Sequence, residues 1–346
     1  MKKLPIIILL CVANVLKSQD IHFSQIQESP LWLNPANAGF FNGYVRSIAN
    51  YRNQWASMGN AFQTMAVSID AVAFKTRKNK AYLGAGLFAF NDEAGVAKMG
   101  STQAQLHLSA IIKTSKKSKL AAAGYFGYAQ TKANYNSLTF GNQYNGNEIT
   151  QSLASGESFN NVSFFNADVG IGLNYEYSSA NAEMLRDDIF SLKIGGAIHH
   201  LNKPTQSFGS GSNYTLPMRI VGNVQVRYDI EDSKFSVLPS LIYIKQASAT
   251  EINLGALMRY RFKNATKITG ISSESGLNFG LFFRVGDAIV PQVNLDMGKY
   301  AIGISYDYNV SRYYKVSKGN GGFEIFLKFI SLDDALFKRK REHGLK

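Results

Sequence analysis

Five histidines, His22, His107, His199, His200 and His343, are the first side chains to question, because imidazole serves as general base, proton carrier and metal ligand. His107 recurs at every second position with Gln103, Gln105 and Ser109, so on a strand all four share one face. A serine, a histidine and amides on one wall could support hydrolysis. A serine nucleophile, however, needs a positioned base and an oxyanion donor, and nothing in the spacing supplies them. Hydrogen bonding inside a closed lumen is the better reading of that row. His199 and His200 are adjacent, which on a strand puts them on opposite faces and prevents a pincer on one metal; a structural or turn-anchoring role is expected. Cys11 is the single cysteine and sits in the N-terminal leader, so disulfides, thiolate zinc sites and a cysteine nucleophile are not expected after export. No catalytic residue, metal or cofactor is expected, and the chain does not read as an enzyme.

Charge is the second candidate chemistry. Arg219, Arg227, Arg259, Arg261 and Arg284, with Asp168, Glu176, Asp296 and Asp307, all fall at positions opposite apolar rows and are expected to face inward. Such a mixture can line a pore, yet interlocked ion pairs with Tyr and Gln more often fill a barrel of modest size, which argues against open diffusion. Two basic clusters, Lys75, Arg77, Lys78, Lys80 and Lys116, Lys117, Lys119, together with Lys338 to Arg341 in the tail, fall between or after strands. They are either solvated turn charge or a docking rim for an acidic partner or anionic headgroups. With 37 Lys and Arg against 24 Asp and Glu the formal charge is +13, but no nucleic-acid recognition fold accompanies it.

These side chains need a scaffold, and period-two alternation supplies it. Phe165, Ala167, Val169, Ile171, Leu173, Tyr175 and Tyr177 form one row, with Asn166, Asp168, Gly170, Gly172, Asn174 and Glu176 behind. An aliphatic row closed by aromatics with a polar row behind it is the signature of a bilayer-crossing strand. The pattern returns at Gly276 to Gly286, Tyr300 to Asn309 and Phe323 to Phe329. Weaker versions occupy Gly43–Tyr51, Ala61–Phe74, Tyr82–Phe90, Thr102–Lys113, Leu120–Ala133, Ile189–His200, Leu216–Asp229, Phe235–Lys245, Ile252–Arg261 and Ile289–Met297. The expectation is therefore an all-β fold: a transmembrane, antiparallel, up-and-down β-barrel of about fourteen strands. Strands of about ten residues are long for a soluble sandwich and suited to a tilted crossing.

Lys2 and Lys3, an apolar stretch from Leu4 to Val15 and polar Lys17 to Gln19 read as a secretory signal peptide, residues 1–19. Residues 20–41, polar and aromatic and interrupted by Pro30 and Pro35, should plug the barrel from below or lie along its periplasmic rim. Asn34-Pro35 reads as a turn, and His22, Phe23, Asn34 and Pro35 are candidate contacts for a binding partner. Residues 42–330 form the barrel and 331–346 a basic periplasmic tail. If both termini are periplasmic, both basic clusters lie in periplasmic turns, and the long stretches Tyr135–Asn161 and Asn202–Tyr214 lie outside. The location expected is the bacterial outer membrane, with its lipid as one partner.

The opening run Gln19-Asp20-Ile21-His22-Phe23-Ser24-Gln25, then Ser29-Pro30-Leu31-Trp32-Leu33-Asn34-Pro35-Ala36, Gly39 and Asn50-Tyr51-Arg52-Asn53-Gln54-Trp55, resembles the PorP/SprF family of Bacteroidetes type IX secretion. So do His199-His200-Leu201-Asn202-Lys203-Pro204, Phe283-Arg284-Val285-Gly286-Asp287-Ala288-Ile289, Ser305-Tyr306-Asp307-Tyr308-Asn309 and Gly322-Phe323-Glu324. Phe323 departs from the family, which often has His before that Glu, so no role of that His carries over. The resemblance implies a non-enzymatic outer-membrane component of the secretion apparatus and, in gliding relatives, delivery of surface adhesins. It also implies partners: other secretion-system proteins in periplasm and outer membrane, and the C-terminal domains of secreted cargo. The rival reading is a diffusive transporter of small apolar or polar solutes, and an outer-membrane hydrolase is a distant third.

Overall fold

The alternating rows close on themselves. In the computed structural model, which describes residues 20–55, 61–75, 80–135, 138–150, 152–156, 162–179, 190–207, 213–263, 275–311 and 314–331, fourteen antiparallel strands form a closed barrel. They are β1 (Val45–Gln54), β2 (Phe62–Ala73), β3 (Ala81–Ala94), β4 (Met99–Lys113), β5 (Ser118–Ala133), β6 (Val162–Ser178), β7 (Phe190–His199), β10 (Arg219–Asp229), β11 (Phe235–Gln246), β12 (Ala249–Lys263), β13 (Ser275–Arg284), β14 (Ala288–Met297), β15 (Tyr300–Asn309) and β16 (Asn320–Ser331). Each pairs with its neighbour in sequence, and β1 closes on β16 from Val45 opposite Ser331 to Gln54 opposite Gly322. Closure satisfies every strand edge within the wall, the requirement for sheet structure in a bilayer. Among the described residues no helix is long and apolar enough to cross a membrane.

Each expected strand coincides with one barrel strand. The expected boundaries fell short for β3 to β6: β3 runs on to Ala94, β4 back to Met99, β5 back to Ser118 and β6 back to Val162, beyond the apolar rows that revealed them. The stretch Asn202–Tyr214, expected to be loop, carries a two-stranded hairpin of β8 (Thr205–Ser207) and β9 (Asn213–Thr215). Its three-residue arms are too short and too polar for alternation to register.

β1 begins and β16 ends at one rim, here the terminal rim; the opposite loop rim carries the long connections 134–161 and 200–218. In outer-membrane barrels short turns lie on the periplasmic side and long loops on the outer side. Phe165, Ile171, Leu173 and Tyr175 are exposed on the outer wall, whereas Asp168, Gly170, Gly172 and Asn174 are buried within. Ile171 lies midway between the aromatic ends of its row, so Ile171→Arg is expected to cost about 2–4 kcal/mol and to deplete the heat-modifiable folded band on gels. Wild-type yield of that band would place residue 171 off the lipid face. Residues 1–19 and 332–346, hence the leader and the basic tail, lie outside the described residues.

Candidate functional site: the plugged lumen

The lumen holds the chain's own N-terminal segment. Asp20 sits at the loop rim against β7, β10 and β11, and the segment descends to Phe40 and Phe41 at the terminal rim before turning up into β1. It thus spans the barrel from rim to rim, not merely entering from below. Local sequence shapes it. Pro30 opens the single-turn helix α1 (Pro30–Leu33), and Asn34, extended, accepts from the Ala36 N–H to start the next turn at Pro35. Both prolines stand at first-turn positions, where a missing N–H costs nothing. The wall is trimmed to receive these turns: a Cβ on Gly84 would strike the Ala38 carbonyl, and one on Gly172 the Asn34 amide.

Apolar packing carries the middle of the plug. Phe23, Ile26, Leu31, Trp32 and Leu33 form one buried cluster with Phe88, Phe90, Val221, Ile242 and Ile244 of the wall. The Trp32 ring stacks on Phe88 at 5.7 Å and meets Phe90 edge-on at 5.3 Å, its Nε1 donates to the Ile21 carbonyl at 3.1 Å, and the Arg219 guanidinium lies 3.8 Å over its face. Asn34 donates from Nδ2 to the Leu173 carbonyl at 2.9 Å and to the Gly196 carbonyl at 3.1 Å.

Ionic contacts fasten the segment at three levels. At the loop rim His200 lies between two carboxylates, Nε2 at 2.7 Å from Asp20 and Nδ1 at 2.9 Å from Asp168. Tyr125 and Gln103 each donate to Asp168 at 2.9 Å. Near the loop-side ends of β1, β13 and β15 Asp307 holds both Arg52 (2.9 Å) and Arg284 (2.5 Å), and deeper in the lumen Glu324 accepts the Ser24 and Gln25 backbone N–H groups at 2.6 and 3.1 Å. At the terminal rim Asp70 pairs with Arg46 at 2.8 Å and accepts the Gly39 N–H at 2.8 Å. Lys193 donates to the Asn37 side chain at 2.5 Å, and Lys328 pairs with Glu28 at 2.7 Å.

The expected site residues fall into distinct groups. His22, Phe23, Asn34 and Pro35 belong to the plug; Phe23, Asn34 and Pro35 are buried and out of a partner's reach while the plug is seated, whereas His22 is half-buried. Lys75 donates to the Phe41 and Gly43 carbonyls at 3.2 and 2.9 Å, and Lys119 pairs with Glu176 at 3.0 Å while covering the Phe40 ring at 4.6 Å. Both lysines therefore clamp the elbow between plug and β1 and are not freely presented turn charges. Burial and the neighbouring Lys119 and Lys113 bring the Lys75 ammonium down to about 8. Lys80, Lys116 and Lys117 are exposed on the terminal rim; Arg77 and Lys78 lie outside the described residues.

The inward charges Asp168, Glu176, Arg219, Arg227, Arg259, Arg284, Asp296 and Asp307 all lie in the lumen. Arg227 and Arg261 share Asp229 at 2.8 and 3.4 Å, and Arg259 pairs with Asp296 at 2.8 Å. His199 is buried beside Tyr125 and Trp32 at 5.4 and 6.1 Å. His200 does not take the opposite face: the strand ends at His199, and a φ of +58° at His200 swings its ring back into the lumen. His107 bonds Gln105 at 3.1 Å, and the Ser109 hydroxyl donates to the Ala38 carbonyl at 2.5 Å, so this pair holds wall and plug together. Asp20, Arg46, Arg52, Asp70 and Glu324 were missed as site residues. The last four share the inward parity of their strands, a signal that could have found them.

The loop-rim latch has a definite pH sign. Burial alone would lower His200, but Asp20 and Asp168 outweigh it and raise it from 6.5 to about 9. Burial alone would raise Asp20, but His200 and Arg219 hold it below the usual carboxylate range. The stabilisation from charged His200 is complete below about pH 6.5 and is lost as pH rises through about 9, a total decline on the order of 3 kcal/mol. In thermal unfolding in detergent, the margin of wild type over His200→Gln should shrink between pH 7 and 10. A margin constant over that range would mean His200 is not the charged clasp.

Among solved structures the chain is similar to the translocator domain of the autotransporter NalP from Neisseria meningitidis, at 11% identity and a TM-score of 0.43 over 88% of this chain and 93% of that one. It is also similar to a Pseudomonas aeruginosa FadL homologue, at 10% identity and a TM-score of 0.47 over 88% and 94%, and to BamA from Haemophilus ducreyi, at 10% and 0.41 over 83% and 70%. No curated protein matches the chain. The sequence model described as type IX secretion system membrane protein PorP/SprF matches residues 15–329. That match takes in both the plug and the whole wall of this outer-membrane barrel, and the chain belongs to the PorP/SprF family of type IX secretion system membrane proteins.

Proposed function

We propose that this barrel works as a plugged docking component of the secretion apparatus, binding the C-terminal domains of cargo or a periplasmic scaffold at its rims, with adhesin delivery as the corresponding role in a gliding host. One observation carries the reading: residues 20–41 occupy the lumen from rim to rim and are tied at both ends and between them. A solute transporter needs a continuous path, which this packing opposes. What remains available to partners is the rims. Lys80, Lys116 and Lys117 project from the terminal rim, and because exposed charges contribute little to folding they can serve binding without structural cost.

The test is charge reversal at Lys116 and Lys117, leaving the clamp residue Lys119 intact. Tagged wild type and variant are captured from their native envelope over a range of salt. The variant should keep normal heat-modifiability, co-purify partners several-fold less well at low salt, and converge with wild type as salt screens the contact. Wild-type recovery of partners at every salt concentration would leave these lysines as solvated turn residues.

A further inference from the structure

Two prolines lie inside barrel strands, where a missing N–H interrupts a ladder. The β10–β11 pairing skips Val226 and Arg227 opposite Pro239 and Leu238, and the β14–β15 pairing skips Val290 and Pro291 opposite Asp307 and Tyr306. Between these interruptions Pro239, Ala256, Leu281 and Pro291 stand directly opposite one another in a single row across β11 to β14. This row faces outward. Pro239, Ala256 and Pro291, its low side chains, floor a depression of about 890 Å³, walled by Leu254, Met258, Phe279, Leu281, Phe283 and Val293. That volume is within the range of small-molecule pockets, roughly 300–1,000 Å³.

The depression continues toward the loop rim. On β11 the outward row beyond Pro239 is Leu241, Tyr243 and Lys245, and beside Tyr243 the neighbouring strands contribute paired glycines, Gly222 opposite Gly196. A Cβ placed on Gly222 would have no neighbour within 4 Å, so the wall is open there. Six residues at about 3.3 Å each span about 20 Å, which on a strand tilted about 40° is a depth of about 15 Å, half of a hydrocarbon core of about 30 Å. When Lys245 is at headgroup level, the proline row is at the bilayer midplane, where an acyl chain of that leaflet ends.

We propose that this outer groove is a binding site for one phosphate-bearing acyl lipid of the outer leaflet, its phosphate at the Lys245 ammonium and an acyl chain laid past Tyr243 and Gly222 into the depression between Pro239 and Pro291. The lining decides for lipid over a membrane-embedded protein. Small residues such as Gly196, Gly222 and Ala256 would admit either, but no hydroxyl, amide or charge projects outward among the side chains of the depression to hold a protein segment, and Lys245 stands at its head to meet a phosphate. An acyl chain needs only apolar contact, and a phosphate needs a cation at the interface. The site is independent of which protein docks at the rims.

The test is native mass spectrometry of the full barrel in detergent, delipidated and then titrated with phosphatidylglycerol or with a diacylglycerol of the same chains but no phosphate. Wild type should hold one phosphatidylglycerol. Ala256→Phe, which fills the floor, and Gly222→Leu, which blocks the lane, should each weaken retention of both lipids more than tenfold, with folding checked by heat-modifiability. Lys245→Gln should weaken phosphatidylglycerol about fivefold and leave diacylglycerol unchanged. Equal retention by wild type and all three variants overturns the site. So does loss of a co-purifying polypeptide, with lipid unaffected, on Ala256→Phe.

Discussion

Asp307→Ala is expected to cost the folded barrel about 3–5 kcal/mol, because removing one member of a buried ionic cluster leaves the others charged and uncompensated. Asp307 projects inward from β15 and binds guanidinium groups from both sides, Arg52 on β1 at 2.9 Å and Arg284 on β13 at 2.5 Å. Both arginines are almost fully buried, 2% and 4% exposed, so little water can replace the carboxylate. The loss spreads further. Arg52 also donates to the His22 carbonyl and lies 4.0 Å from Glu324, the residue that receives the Ser24 and Gln25 N–H groups, so this part of the plug should loosen with it. Asp307→Asn keeps the volume and one acceptor and should fall between wild type and Asp307→Ala. Denaturant titration of the folded gel band measures all three. A difference under about 1 kcal/mol for Asp307→Ala would mean that the lumen hydrates these arginines.

Deleting residues 20–39 is expected to turn a closed barrel into a conducting one. An eight-stranded barrel is filled by its own side chains and a barrel of sixteen or more encloses an aqueous channel; at fourteen strands the lumen needs an added filling, which here is the N-terminal segment. Without it, the inward row of Arg46, Asp70, Asp168, Arg219, Asp307 and Glu324 would face water, and planar bilayers should show stepwise openings that wild type lacks. The rival transporter reading predicts comparable conductance from both proteins. Should the deletion impair assembly, Gly84→Leu is a gentler probe, since its side chain collides with the Ala38 backbone and unseats the lower turn of the plug in a full-length chain. Closed traces from an unplugged, correctly folded barrel would move the seal from the plug to the long loops.

The pH response of His200 and the arginine cluster at Asp307 also separate two kinds of information in this chain. Strand number, facing and order are set by neighbours in sequence: a residue two positions on has the same face, and antiparallel pairing of adjacent strands adds no further choice. Hence Ile171 and Asp168, or Tyr306 and Asp307, could be assigned to lipid and lumen from alternation alone, and the strands were found nearly to their ends. The opening motif from Asp20 to Gly39 was legible as belonging with a secretion family, and its prolines and Asn34 as turns. Its destination was not legible. Whether Trp32 meets Phe88 and Arg219, whether Asp20 reaches His200 across 180 residues, and whether Lys119 points to a partner or to Phe40 depend on contacts between segments remote in sequence, which periodicity cannot encode. Closure of the barrel decides those contacts. It brings β1 beside β16, sets the inner diameter, and leaves a space that the N-terminal segment, held by ions at both rims, fills.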